Sequence, residues 1–105
     1  MSDLSGARLD KANLCMADMP GANMTDCSLI EANLKQVNLR PEDILDTDGN
    51  PTGSTWAANL TDADMTRTRM RDANFRNAEM TAANLAKADL RGADFSTAVL
   101  HGANF

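Results

Sequence analysis

Asp46, Asp48 and Asn50 fall at alternate positions, the spacing with which an oxygen-ligated calcium loop opens. The rest of such a loop is missing. Its sixth position is Pro51 where the sharp turn needs Gly, and its twelfth is Ala57 where a bidentate Glu belongs. Asp46–Gly53, dense in Asp, Asn, Gly and Pro, therefore reads as a plain turn and loop. His101 is the single His; it follows the large apolar Leu100, is expected to face solvent, and has no Cys ligand beside it. Ser and Thr lack a His–carboxylate pair to activate them, and no Gly-rich phosphate loop is present. The expectation is a chain with no metal, no cofactor and no catalytic centre.

What remains is recognition. Arg67, Arg69, Arg71 and Arg76 cluster, offset in part by Asp72; they form either a solvated wall or one face of a partner site. Trp56, the only Trp, borders the loop and either packs it down or stands out as an anchor. With Asp46, Asp48 and Asn50, these residues make up the candidate partner-binding set.

The elements that must carry them follow from a repeat of five. Large apolar residues recur at every fifth place from Leu4 through Leu39, and again from Leu60 through Phe105. Two places before each stands a small residue in most cases, with Val37 and Thr68 the only larger occupants. On an α-helix five steps advance a side chain about 140° past a full turn, so such residues would spiral around the cylinder. On a flat strand an odd period puts them on opposite faces. A backbone that turns one corner per repeat keeps them all inward. Such a chain winds into a solenoid whose coils pair side by side and whose core is a column of Leu, Met and Phe.

The block A-[ND]-L-x-x, as in Ala12-Asn13-Leu14, Ala32-Asn33-Leu34, Ala83-Asn84-Leu85 and Ala88-Asp89-Leu90, resembles the signature of the pentapeptide-repeat family. The resemblance covers roughly Ser2–Pro41 and Ala58–Phe105. It implies an all-β fold, a right-handed quadrilateral β-helix with four repeats per coil. Residues twenty apart then stack: Phe75 under Phe95, Leu14 under Leu34, and Leu60, Met80 and Leu100 in one ladder. The chain makes about 4.5 coils, on the order of 22 Å tall at strand spacing. Asn and Asp before the large residue suit tight turns, because their side chains bond nearby backbone. Gly6, Gly21, Gly92 and Gly102 share one outward place, where they ease corners.

Residues 1–105 read as a single domain with an interruption at about 42–57. Leu39 and Leu60 are 21 apart, one more than a multiple of five, so the register slips. Ile44 keeps the earlier phase and is a candidate start for a ninth repeat. Arg40–Leu45, with Pro41 near its start, is a candidate single helical turn.

Only Trp56 and three Phe supply aromatic area, which a solenoid tolerates because each coil buries its centre on its neighbours. No apolar stretch is long enough for a membrane span and the opening residues do not resemble a signal peptide, so a soluble, cytoplasmic protein is expected. Cys27 takes an inward place and Cys15 an outward one, which sets them apart. The net charge of −5 is uneven: residues 1–50 carry nine acids and four bases, residues 51–105 six of each. Overall acidity disfavours direct nucleic-acid binding. The leading expectation is a scaffold that docks on a protein partner of unknown identity. The family resemblance implies an alternative, mimicry of a DNA duplex to bind DNA gyrase or topoisomerase IV, against which the arginine cluster stands. A coil that ends open exposes backbone and apolar side chains, so end-to-end self-association through Leu90, Phe95, Leu100 and Phe105 is also expected.

Overall fold

In the computed structural model, which describes residues 2–105, every repeat except the one that ends at Pro41 turns a corner in the same way. The amide two places before one large residue bonds back to the previous one, as Ala7 N–H donates to the Leu4 carbonyl and Ala12 N–H to Leu9, both at 3.0 Å. The residue just before that amide has positive φ: Gly6 at 70°, Lys11 and Met16 at 61°, Gly21 at 65°, and onward to Thr97 and Gly102. This is the bond and the sign of φ found in a type II turn. Residues with a Cβ lose about 1 kcal/mol in that conformation. Stacking offsets the loss from Gly6 through Ala82, since the coil above supplies a partner for these corners: Lys11 N–H meets the Ile30 carbonyl at 2.9 Å.

The side chain before the large residue completes the corner. Asn13 Oδ1 accepts the Cys15 N–H at 3.1 Å, and Asn33, Asn59, Asn74 and Asn84 do the same two residues on. Parallel bridges then join residues twenty apart, such as Asp3 with Asn23, Asn13 with Asn33 and Asn59 with Glu79. Four bridges occur per turn of the chain, so the solenoid is a four-sided β-helix. The walls are numbered here by their first large residue: wall 1 from Leu4, wall 2 from Leu9, wall 3 from Leu14 and wall 4 from Met19.

Inside, the columns are sealed. Met24, Leu29, Leu34, Leu39, Leu60, Met65, Met70, Phe75, Met80 and Leu85 are all at most 1% exposed. Phe75 and Phe95 stack with centroids 5.2 Å apart and planes within 4°. The two oversized inner residues also fit: Val37 and Thr68 are buried, and the Thr68 hydroxyl donates to the Met65 carbonyl at 2.9 Å. Toward the ends the cover thins, leaving Leu4, Leu9, Leu14 and Met19 partly exposed, as are Leu90, Phe95 and Leu100.

Across the interruption the bridges join residues thirty-six apart, Asn23 with Asn59 through Asn38 with Asn74, sixteen more than in an ordinary coil. The helix therefore keeps its phase while sixteen residues leave and return. They form an antiparallel hairpin of β1 (Glu42–Leu45) and β2 (Pro51–Trp56). Two expectations are corrected here. Ile44 does not start a ninth repeat, and Arg40–Leu45 is not a helical turn, because both fall in or beside β1. The physical reason is Pro41. It stands two places after Leu39, where every other corner has positive φ, and its ring fixes φ near −65°. The corner cannot close there, so the chain leaves the coil.

Candidate interaction surfaces

The hairpin emerges at the corner between walls 4 and 1. Gly21, the corresponding corner one coil earlier, is buried beneath it; a Cβ there would lie 2.7 Å from Glu42 Cβ and 3.1 Å from the Trp56 carbonyl oxygen. On the other side Asp43 and Thr55, with Arg40, Arg76 and Asn77, frame a cleft of about 270 Å³. Glu42 pairs with Trp56 and Asp43 with Thr55; the ladder then bulges before Leu45 pairs with Pro51, with Gly53 at φ 87°. All six residues of β2 are exposed. Leu45 is 55% and Trp56 46% exposed, so the hairpin carries two large apolar side chains in solvent.

At its tip Asp46 Oδ1 accepts the N–H groups of Asp48 and Asn50, each at 2.9 Å, and Gly49 N–H donates to the Asp46 carbonyl. Asp46 thus closes a turn. Among the described residues no three His, Cys, Asp or Glu side chains converge where a cation could sit.

Stacking sorts the charges by wall, an arrangement invisible along the chain. Wall 1 carries Asp3, Asp26, Asp62 and Glu79 and no Lys or Arg. The hairpin beside it adds Glu42, Asp43, Asp46 and Asp48, again without a base. Wall 3, on the opposite side, carries Lys35, Arg69, Arg71 and Arg91 against Asp72 and Asp89. Arg67 and Lys87 share the corner leading into it. The four clustered arginines consequently do not form one patch: Arg67 sits at a corner, Arg69 and Arg71 on wall 3 and Arg76 on wall 4. Arg71 is instead in line with Lys35 below and Arg91 above. Those two were missed in the sequence because Lys35 lies thirty-six places away, behind the hairpin.

Within wall 3 the Arg91 guanidinium donates to both oxygens of Asp89, at 2.8 and 2.7 Å. These bonds, helped by the Asp89 interactions with the Arg91 amide and the Arg71 charge, hold the Asp89 carboxyl down at about 2. Bonds from Ser5 and Ser96 lower Asp3 and Asp94, and the Ser28 hydroxyl, from the next coil, lowers Asp10.

Comparison with known proteins agrees with this geometry. A family profile described as "Pentapeptide repeats (8 copies)" matches residues 2–40, 58–96 and 78–105. The chain belongs to the pentapeptide-repeat family. Among solved structures it is similar to a pentapeptide-repeat protein from the thylakoid lumen of Arabidopsis thaliana, at 24% identity and a TM-score of 0.80 over 99% of this chain. It is also similar to one from Nostoc PCC 7120, at 33% identity and a TM-score of 0.69 over 87% of this chain. It spans 61% and 62% of the lengths of those two proteins. No curated protein sequence matches it.

The remaining residues of this pentapeptide-repeat chain fall into place accordingly. In the last coil Leu90, Phe95 and Leu100 are half-buried and Phe105 is 61% exposed. The amide N–H groups of Leu90 and Phe95 meet no stacked carbonyl among the described residues. His101 is exposed on wall 1, above the column of Thr25, Thr61 and Thr81. Both thiols are free, Cys15 exposed and Cys27 buried, and burial pushes the Cys27 thiol up.

Proposed function

We propose that this protein is a non-enzymatic docking module whose binding surface is wall 1 together with the hairpin. The observation that carries the reading is the hairpin itself: an all-acidic excursion that presents Leu45 and Trp56 to solvent beside an all-acidic wall. Apolar anchors within a charged rim are the usual anatomy of a protein interface. The partner surface it fits is basic, with a pocket for an indole ring. The sealed core supports a rigid frame, so the surface is presented with little reorganisation.

The test is removal of residues 41–56. This joins Arg40 to Ala57 and restores a regular repeat, with Ala57 at the corner that Ala82 occupies at φ 60° elsewhere. The variant is expected to keep the circular dichroism and stability of the parent and to lose the partners that the parent captures from cell extract. Unchanged capture would sink the proposal.

A second reading is mimicry of DNA toward gyrase or topoisomerase IV. One observation favours it: wall 1 carries acids and no Lys or Arg, and Arg69, Arg71 and Arg91 lie on the opposite wall, so those three arginines need not face a basic DNA channel. Gyrase supercoiling, measured with micromolar protein and with and without a quinolone, decides between them. No change in supercoiling leaves the docking module alone. Self-association through the last coil is a separate proposal, which a strictly monomeric mass by light scattering at high concentration would remove.

A further inference from the structure

We infer that the groove between Lys35 and Arg71 on wall 3 binds a phosphoryl dianion. The two residues hold the same place in successive coils. Asn33 bridges to Arg69 just before them, and Gln36 N–H donates to the Arg71 carbonyl at 2.9 Å just after. Their side chains leave the wall about 4.8 Å apart, the spacing of paired strands. Like charges so close repel, and an anion seated between them relieves the repulsion. One coil further, the same column solves the problem internally, since Arg91 is clamped by Asp89. Among the described residues no carboxylate comes within ion-pair distance of Lys35 or Arg71.

The space fits this reading. Lys35 and Arg71, with Cys15, Gln36 and Asp72, line a groove of about 280 Å³. Asp72 would oppose an anion, but its carboxylate leans toward the bare backbone of Gly92, where any Cβ would collide with Asp72 Oδ1. The Arg71 guanidinium offers two parallel donors to two phosphate oxygens, and the Lys35 ammonium is a point charge for a third. A carboxylate neutralises one cation and leaves the other. A phosphate monoester, carrying about −1.5 to −2 near neutral pH, matches both. The excess of acids is carried by wall 1 and the hairpin rather than by wall 3, whose Lys and Arg outnumber its acids, and salt screens the more distant charges. Free phosphate and a phosphorylated side chain of another protein share this chemistry. The inference is independent of the hairpin, which lies on the opposite side.

The chain contains its own reporter. Cys15 lines the groove and is exposed, whereas Cys27 is only 1% exposed. With the full chain at constant ionic strength, alkylation of Cys15 by uncharged N-ethylmaleimide is followed against inorganic phosphate, a phosphoserine peptide and the same peptide without phosphate. Rates are referred to a free-thiol control. The expected result is saturable slowing by the phosphate-bearing compounds, with the half-effect moved at least about tenfold higher in Lys35→Gln and Arg71→Gln. Arg8→Gln, on wall 2, leaves it in place. A phosphopeptide much tighter than inorganic phosphate identifies a phosphorylated protein as the source; equal strength identifies the free anion. Slowing that never saturates, or the same curve in Arg71→Gln, overturns the inference. Lys35 is half-exposed and Arg71 exposed, so both variants are expected to fold, which circular dichroism checks.

Discussion

A single residue place, the one two after each large side chain, controls how this chain turns. Lys11, Glu31, Asp62 and others hold positive φ there as well as glycine does, because the coil above fixes the corner. Gly6 therefore has little special value: nothing lies within 4 Å of a Cβ built on it, and Gly6→Ala should cost about 1 kcal/mol. Gly21 differs, since its missing Cβ makes room for the hairpin. Gly21→Ala is expected to cost more than Gly6→Ala in urea denaturation and to shift the fluorescence of Trp56, whereas Gly6→Ala leaves the fluorescence alone. Asp89 gives a pH-dependent counterpart. Its folded pKa of about 2 lies below the ordinary 3.8, so its stabilisation is complete above about pH 4 and is lost as pH falls through about 2. In Asp89→Asn the gap in stability from the parent should therefore close over that window, as read from denaturation midpoints.

At the scale of the coil, the inner column is the unit of stability. Phe75 is fully buried and stacked on Phe95, so Phe75→Ala opens a cavity between two coils. The expected loss is about 3–5 kcal/mol in chemical denaturation. Phe95→Ala, in a half-covered coil, should cost less. The hairpin is a second kind of element, attached at Pro41 and resting on Gly21 without contributing a residue to the sealed core. Its base legibly follows from the corner rule once the positive φ is known, but the sequence-level reading of this stretch as a helical turn overlooked that Pro41 occupies a corner.

The whole molecule behaves as a stack in which each coil is held by its neighbours. Stability in such arrays is nearly a sum of local and nearest-neighbour contributions. Amide hydrogen exchange should therefore be slowest from Met24 to Leu39 and from Leu60 to Leu85, and fastest in the two end coils. Uniform protection from Leu4 to Leu100 would contradict that view. The same stack makes the surface two-sided, with wall 1 and the hairpin acidic and wall 3 richer in bases.

By itself the sequence determined the corner at every fifth residue, the inward Leu, Met and Phe, and the Asn and Asp bonds beside them; the stacking of Phe75 on Phe95 needed in addition the four repeats per coil that the family resemblance implies. The first three depend only on local turn chemistry and on a period that repeats within each block. It could not say which residues from the two blocks become neighbours. That depends on how many residues leave the coil, and the count of sixteen was decided by the tertiary bonds that bring Asn23 to Asn59 and Asn38 to Asn74. Lys35 and Arg71 meet for the same reason, as do the acids of wall 1. The surface charges, unlike the core, acquired their arrangement only when the coils closed.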